Sequence, residues 1–268
     1  MLRDITLGQY YQTDSVIHRL DPRVKLVATI IFIITLFVVD NAIGYLIAAL
    51  FLVCMIKLSK VPFRFMVKGM KSIVFLLLIA VVFNLFLTPG EALVSFWKLT
   101  ITKEGVRLAV MMAVRLIFLI IGSSLMTLTT TPNNLTDGME KLMAPLKVLH
   151  VPVHEVAMMM SIALRFIPIL LEETDKIMKA QIARGADFES GNLIKKAKSM
   201  VPLLVPLFIS AFRRANDLAM AMEARCYRGG EHRTKMKPLI YQKRDRIAYL
   251  VLLGYAAASI YFGRIFSL

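Results

Sequence analysis

The sequence predicts an all-α membrane protein with about five transmembrane helices and long, kinked helices on its cytoplasmic side. Hydrophobic residues make up 57% of the 268 residues, above the roughly 45–50% of soluble domains. They are concentrated in blocks, as in helices that face lipid. The formal net charge is nevertheless +15. Such a chain must separate apolar blocks, which belong in lipid, from basic segments that meet anionic headgroups or acidic partners.

Five apolar runs are the predicted membrane spans. A span needs about 20 residues, so the first three runs are long enough only if flanking Lys and Arg side chains reach back to water. A hairpin over residues 26–56 that does not cross the membrane therefore stays an alternative. The five runs cover residues 26–39, 42–56, 73–87, 106–128 and 247–262.

The distribution of basic residues predicts the orientation of these spans. Cytoplasmic connections carry an excess of Lys and Arg. Basic-rich and basic-poor connections alternate along the chain, and the last cytoplasmic section alone holds nineteen Lys and Arg residues. The N-terminus is therefore expected in the cytoplasm and the C-terminus outside. The predicted domains are a cytoplasmic N-terminal segment, a membrane domain of four spans, a cytoplasmic helical domain and a final span, at residues 1–25, 26–130, 131–246 and 247–268.

The section 131–246 is predicted to contain one short helix and two long ones. Thr131-Pro132 is typical of a helix start, and a short helix is expected to continue to about His150. The long helices are expected over residues 152–184 and from about 191 to 225. Prolines inside the long helices are expected to bend them, and these are Pro168, Pro202 and Pro206.

The ends of the two long helices, here called the tips, resemble each other. Residues 177–185 read IMKAQIARG and residues 218–226 read LAMAMEARC. In each tip an Arg follows Ala residues one and four positions before it, and the Ala at four positions shares its face. Small side chains let another surface come close, and Arg offers a rigid set of donors for a carboxylate or for carbonyls in a groove. The shared positions are Ala180 and Ala221, Ala183 and Ala224, and Arg184 and Arg225.

Either tip alone has a simpler interpretation as an ordinary helix end. An Arg in the last turn complements the helix dipole and the free carbonyls, and Ala is a strong helix former. The recurrence of the pattern, each time after a proline-containing apolar half, favours two docking sites for a partner with two similar grooves.

At these residues the chain resembles the T component, the transmembrane coupling subunit, of energy-coupling factor (ECF) transporters, a class of prokaryotic ABC importers. The matching residues are 15–26 (SVIHRLDPRVKL), Ala183-Arg184-Gly185 and Ala224-Arg225-Cys226. The resemblance extends over essentially the whole chain. The family pattern prefers Ala-Arg-Gly at both tips, and Cys226 stands where the second Gly is usual.

The resemblance implies a non-enzymatic subunit of a multi-pass transporter in a prokaryotic cell membrane. It implies that each tip Arg enters a groove of one of two nucleotide-binding ATPase subunits, and the difference between the tips indicates two different ATPases. These partners would bind ATP and Mg²⁺, so no cofactor is expected in this chain. The apolar helices would hold a small substrate-binding membrane protein, the S component. ATP hydrolysis would then drive uptake of a vitamin or a transition-metal ion.

Methionine is frequent in the cytoplasmic section and allows two interpretations. Because Met is flexible and polarisable, it suits surfaces that accept different partners, but it also fills gaps in a core. The residues concerned are Met139, Met143, Met158, Met159, Met160, Met178, Met200, Met220 and Met222.

Charged residues elsewhere have structural interpretations. Arg115 lies inside the fourth apolar run, where a charge is costly, and is expected to reach the interface or pair with a neighbouring helix rather than to serve transport. The basic amphipathic stretch 60–71 is expected to contact anionic lipid headgroups. Glu172, Glu173 and Asp175 are expected to pair with nearby Lys and Arg.

Other functions lack their sequence signals. No Walker A sequence or zinc-protease motif occurs, and Pro152 separates His150 from His154, which argues against a metal site. Nucleic acid is not an expected partner, because no binding module accompanies the positive charge. A self-contained secondary transporter would require inverted repeats and buried charges, and a membrane enzyme acting on lipids would require clustered acids or histidines. These two remain the alternatives.

Overall fold

The computed structural model describes residues 10–70, 74–96, 99–188, 192–230, 236 and 238–265. The chain divides into two compact units, and each is described by itself. The described helices are α1 Pro22–Val38, α2 Ala42–Ser59, α3 Phe63–Met70, α4 Val74–Leu87, α5 Lys103–Thr129, α6 Pro132–Leu142, α7 Val153–Ala183, α8 Leu193–Ala224 and α9 Lys243–Ile265, with a 3-10 helix at Ala144–Leu149.

The predicted helical membrane fold is confirmed, with one local exception. Between α4 and α5 the chain forms a short antiparallel hairpin of β1, Ala92–Phe96, and β2, Leu99–Thr102. The sequence predicts only a connection over residues 88–105. β2 reads LTIT, and β-branched residues favour extended backbone.

Four helices within the described residues are long and apolar enough to cross a membrane, namely α2, α5, α7 and α9. Two of the predicted spans give shorter helices, 17 residues in α1 and 14 in α4. By length and composition α7 also qualifies, although the sequence analysis places it in the cytoplasmic section. Length and composition do not distinguish lipid from an apolar partner, so the cytoplasmic placement of α7 stays a prediction.

The first unit, called the bundle unit, comprises Gly8–Leu142 and Leu239–Leu268. Helices α1, α2, α5 and α9 pack around one apolar core, and α3 contributes Met66. The partly buried Phe51 stacks on the buried Tyr255, with ring centroids 4.2 Å apart. Helices α1 and α5 approach closely at Gly122, where an added Cβ would lie 2.6 Å from the ring of Phe32. Large apolar side chains such as Phe37 and Leu50 remain exposed on the outside, as expected of a surface that faces lipid.

Helix α1 begins at Pro22, four residues before the apolar run that predicts it. The carboxylate of Asp21 accepts a hydrogen bond from the backbone N–H of Arg23 at 2.9 Å. Pro22 suits the first helical position because it has no backbone N–H that would need an acceptor there.

The short helix predicted to reach His150 ends earlier than expected. It stops at Leu142 and is followed by the 3-10 helix. Pro145 explains why the α-helix does not continue, since a proline has no N–H to donate to the carbonyl four residues before it.

A buried polar cluster ties the start of α1 to the start of α9. The Asp245 carboxylate, only 1% exposed, accepts the backbone N–H of Asp21 at 2.9 Å and that of Gln242 at 2.8 Å. Arg23 bonds the Asp21 carboxylate and lies 3.7 Å from the ring centroid of Tyr241. Burial alone would raise the pKa of Asp21, but the hydrogen bonds from Arg23 lower it overall. The cluster therefore gives part of the 15–26 motif a structural role.

Arg115, inside the fourth apolar run, is paired, as expected. Arg115 donates to the hydroxyl of Tyr45 at 2.8 Å and to the Asp40 carboxylate at 2.7 Å. The Asp40 side chain is 79% exposed, and that of Arg115 is 18% exposed. The guanidinium therefore reaches the end of its neighbouring helices, which supports the structural interpretation of Arg115.

Candidate docking site

The second unit, called the helix-pair unit, comprises Met143–Pro238 and contains α7 and α8, of 31 and 32 residues. Gln181 near the end of α7 donates to the carbonyl of Pro202 near the start of α8, at 3.4 Å. Farther back on α7, Glu173 bonds Arg214 of α8. Residue numbers therefore fall along α8 as they rise along α7, so the two helices are antiparallel.

The first tip ends in a fully hydrogen-bonded turn. The backbone N–H of Gly185 donates to Ile182 at 2.9 Å, and that of Ala186 donates to Gln181 at 3.0 Å. Gly185 has a φ of +86°. These two bonds around a left-handed residue define a Schellman motif, which satisfies carbonyls that a helix end leaves free.

The second tip ends in the same motif, residue for residue. The N–H of Cys226 donates to Glu223 at 2.8 Å, and that of Tyr227 donates to Met222 at 3.0 Å. Cys226 adopts the left-handed conformation with a φ of +57°, in which a Cβ is strained. The turn thus comes directly after Arg225 even though Gly is missing there.

The eight predicted site residues occupy equivalent places in the two tips. Arg184 and Arg225 are the C-terminal caps of α7 and α8. Neither guanidinium has a hydrogen bond or ion pair to another described residue. All eight residues are exposed. They are Ala180, Ala183, Arg184 and Gly185 in the first tip, and Ala221, Ala224, Arg225 and Cys226 in the second.

The antiparallel arrangement places the two tips at opposite ends of the helix pair. Arg184 follows Glu173 by eleven residues, and Arg225 follows Arg214 by eleven residues. At about 1.5 Å per residue each tip lies roughly 16 Å from this contact, so the tips are separated by on the order of 30 Å. The arrangement suits two separate grooves rather than a single one.

The tips differ in their immediate surroundings. Beside the second tip an open cavity of about 470 Å³ is lined by residues of both helices, including Met158, Met222 and Arg225. The chain after this tip turns back at Gly229, with a φ of +90°. Gly230 then packs on His154 so closely that an added Cβ would lie 2.2 Å from its ring. The two tips are therefore alike in backbone and distinct in environment.

The helix pair also presents apolar side chains that are not buried. One face of α8 exposes a stripe at helical spacing, with exposures of 50% at Val201, 52% at Val205, 62% at Phe208 and 69% at Phe212. None of the nine methionines singled out from the sequence is buried. This exposure favours the interpretation of these Met residues as contact surface over gap-filling in a core.

Two of the three residues in the acidic group of α7 are engaged in ion pairs, as expected, whereas Glu172 is exposed and has no ion pair with another described residue. Glu173 accepts from the Ser210 hydroxyl at 2.8 Å and from Arg214 at 2.6 Å. Asp175 pairs with Lys179 at 3.0 Å. Over the described residues, no group of three or more His, Cys, Asp or Glu side chains is placed to hold a metal ion.

Single substitutions at the two left-handed positions, Cys226 and Gly185, should change the free energy of unfolding in opposite directions. Cys226→Gly removes a strained Cβ and is expected to stabilise the protein by about 1 kcal/mol, whereas Gly185→Ala introduces that strain and costs about as much. No atom lies within 4 Å of a Cβ added at Gly185, so the cost there is that of the backbone alone. Thermal unfolding in detergent measures both. Equal midpoints for the two variants would contradict the strained turn.

Comparison with known sequences gives the family. A sequence model of the CbiQ family, described as a cobalt transport protein, matches residues 13–236. The "Energy-coupling factor transporter transmembrane protein EcfT" of Clostridium kluyveri is 58% identical over 262 residues, 97% of each chain. Proteins of the same name from Thermosediminibacter oceani and Bacillus subtilis are 53% and 45% identical, over 97% and 96% of this chain and 98% and 97% of their own lengths.

The apolar helices and the family match identify the chain as a multi-pass membrane component of a transporter. The chain belongs to the family of EcfT transmembrane proteins of energy-coupling factor transporters.

Proposed function

We propose that this chain couples two ATPase subunits to a substrate-binding S component, so that ATP hydrolysis drives uptake of a vitamin or another micronutrient. One observation carries the proposal. Two helix ends with the same Schellman motif, each with an exposed Arg, lie at opposite ends of one antiparallel pair. Ordinary helix ends do not require this repetition of backbone and side chains.

The chemistry of each tip suits a groove lined by carboxylates or backbone carbonyls. The guanidinium of Arg184 or Arg225 presents five donors in a fixed plane, and charge-assisted hydrogen bonds to a carboxylate are strong. The Ala residue one turn before each Arg leaves room for the partner's backbone. One tip enters each of two ATPase subunits, and the replacement of Gly by Cys226 favours two different ATPases.

The S component binds apolar surface. The α8 stripe from Val201 to Phe212 and the exposed methionines provide such a surface, and Met side chains adapt to partners of different shape. A chain that accepts several S components would use this adaptability.

The orientation in the membrane follows from the distribution of Lys and Arg. The N-terminus and the helix-pair unit lie on the cytoplasmic side of a prokaryotic cell membrane, and the C-terminus lies outside. ATP and Mg²⁺ are bound by the ATPase partners, and this chain is a non-catalytic subunit. Phe63 and Phe65 of α3 are exposed beside Lys60 and Arg64, which suits contact with anionic lipid.

Reconstitution of the tagged chain tests the proposal. The complex purified from native membranes is expected to contain ATPase subunits and at least one small membrane protein. In liposomes it should take up a radiolabelled vitamin or Co²⁺ only when ATP is supplied. Uptake by the chain alone without ATP would favour a secondary transporter, and turnover of a lipid by the chain alone would favour an enzyme.

A further inference from the structure

The contact between Glu173 and Arg214 occupies a special place in the helix pair. The alignment of the tips pairs each residue of α7 with the residue 41 positions later in α8, as in Arg184 and Arg225. The same offset pairs Glu173 with Arg214, and Glu172 with Arg213. The contact therefore joins equivalent positions of the two repeated helices, and these positions carry opposite charges.

This contact also divides the pair into two equal arms. An arm is defined here as the segment from the contact to a tip, at residues 173–184 in α7 and 214–225 in α8. Each arm spans eleven residue steps and contains no proline, whereas Pro168, Pro202 and Pro206 all lie before the arms. Uninterrupted helices without proline are stiff over this length, so movement at the contact would be passed to both tips.

The surroundings of the contact are apolar. The adjoining cavity, of about 270 Å³, is lined by Ile162, Phe166 and Leu170 of α7 and by alanines and larger apolar residues of α8. Apolar surfaces that interdigitate loosely tolerate sliding, whereas a charged pair in such a surface specifies one register. Arg214 also lines this cavity, and its side chain is 40% exposed. Loss of Glu173 would therefore remove the charged partner that holds Arg214 against α7 and leave it free to turn to solvent.

We propose that the contact of Glu173 with Arg214 and Ser210 is the pivot that sets the spacing and register of the two tips. It is a positioning device: it does not touch the ATPase subunits, and it is required for coupling rather than for docking. This inference rests on the proposed function for its transport readout. Its structural part, the register of α7 against α8, stands independently of the ATPases.

The test compares Glu173→Ala with Glu172→Ala, which removes the same charge from the neighbouring, exposed position. In proteoliposomes containing the purified complex, Glu173→Ala should retain the ATPase subunits but lower the number of substrate molecules transported per ATP hydrolysed about tenfold. Glu172→Ala should remain within about twofold of the wild-type ratio. The exchange Glu173→Arg/Arg214→Glu, which restores the pair in reverse, should recover most of the lost coupling.

Spin labels report the tip geometry directly. The labels would be attached to Lys179→Cys and Met220→Cys, which are again 41 positions apart. The two native cysteines would first be removed by Cys54→Ala and Cys226→Gly, so that only the introduced thiols react. Glu173→Ala is expected to broaden the distance distribution between the labels, and the charge exchange is expected to narrow it again.

The outcomes separate the inference from the proposed function. Unchanged coupling and an unchanged distance distribution in Glu173→Ala would overturn the pivot, as would a charge exchange that restores neither. Loss of coupling only in proportion to lost ATPase subunits would also overturn it. A wild-type complex without ATPase subunits would overturn the proposed function, and the spin-label distances of the chain would still decide whether the contact sets the register.

Discussion

Reversing the charge of both tip arginines, in Arg184→Glu/Arg225→Glu, is expected to abolish recruitment of the ATPase subunits and ATP-driven uptake. Buried Arg anchors at interfaces each contribute about 2 kcal/mol or more, so loss of both, about 4 kcal/mol, should weaken binding by about 1000-fold. A Glu at the same place would add repulsion from the partner's acceptors. The measurement is the amount of ATPase subunits that co-purifies with the tagged chain, together with uptake in liposomes.

A matched control carries the same change of charge on the same helices. Lys179 and Arg213 are both exposed, and Lys179 makes only a surface pair with Asp175. Lys179→Glu/Arg213→Glu should retain most of the ATPase subunits, because exposed charges away from an interface contribute little. Equal loss of the subunits in both double variants would show that overall charge, rather than the tips, recruits them.

Removing the carboxylate of Asp245 is expected to destabilise the bundle unit strongly. Asp245→Ala leaves the buried N–H group of Asp21 and the partly buried N–H group of Gln242 without an acceptor. An unsatisfied buried donor costs roughly 1–3 kcal/mol. The N–H of Gln242 is partly solvated and costs less, about 1 kcal/mol, so the two together should cost about 2–4 kcal/mol. For a chain of this size the unfolding midpoint should fall by on the order of 10 °C.

Glu104 of α5 offers the control for Asp245. It is also an acid in the first turn of a helix and accepts the backbone N–H of Glu91 at 2.9 Å, but it is exposed. Water replaces its carboxylate in Glu104→Ala, so the cost should stay below about 1 kcal/mol. Similar midpoints for the Asp245 and Glu104 variants, measured by thermal unfolding in detergent, would show that the buried cluster does not hold α1 and α9 together.

The long helices could be predicted from local sequence because their ends carry local signals. Pro152 is the N-cap of α7 and Arg184 is its C-cap. The corresponding caps of α8 are Asn192 and Arg225. These limits agree with the sequence analysis to within a residue or two. A Gly after an Arg, or a Pro before an apolar run, acts within one turn of the chain and needs no tertiary contact.

Other features were less accessible from the sequence. Cys226 adopts the left-handed conformation that Gly normally provides, and a residue with a Cβ gives no sequence signal for that turn. The hairpin of β1 and β2 has few residues and no strong turn signal. The bonds between Asp21 and Asp245 join residues more than 200 positions apart, which no local pattern reveals.

The Glu173–Arg214 contact could have been found from the sequence by extending the alignment of the tips. Continuing the offset of 41 residues back from Arg184 and Arg225 brings Glu172-Glu173 opposite Arg213-Arg214. In an antiparallel pair equivalent positions face each other at only one level along the helices, and here that level is Glu173 and Arg214. The alignment therefore offers Arg214 as a candidate partner, and the direction of α8 against α7, which comes from tertiary packing, is needed to select it.

Photo-cross-linking from the tips tests most directly whether they contact ATPase subunits. A photoreactive phenylalanine analogue would replace Ile182 or Glu223, both exposed and 41 positions apart, with Phe208 of the apolar stripe as the comparison site. The account predicts that both tip positions cross-link to ATPase subunits and that position 208 cross-links to a small membrane protein. If the purified complex contains ATPase subunits but the tip positions cross-link only to lipid or to the small membrane protein, the docking role of the tips is contradicted.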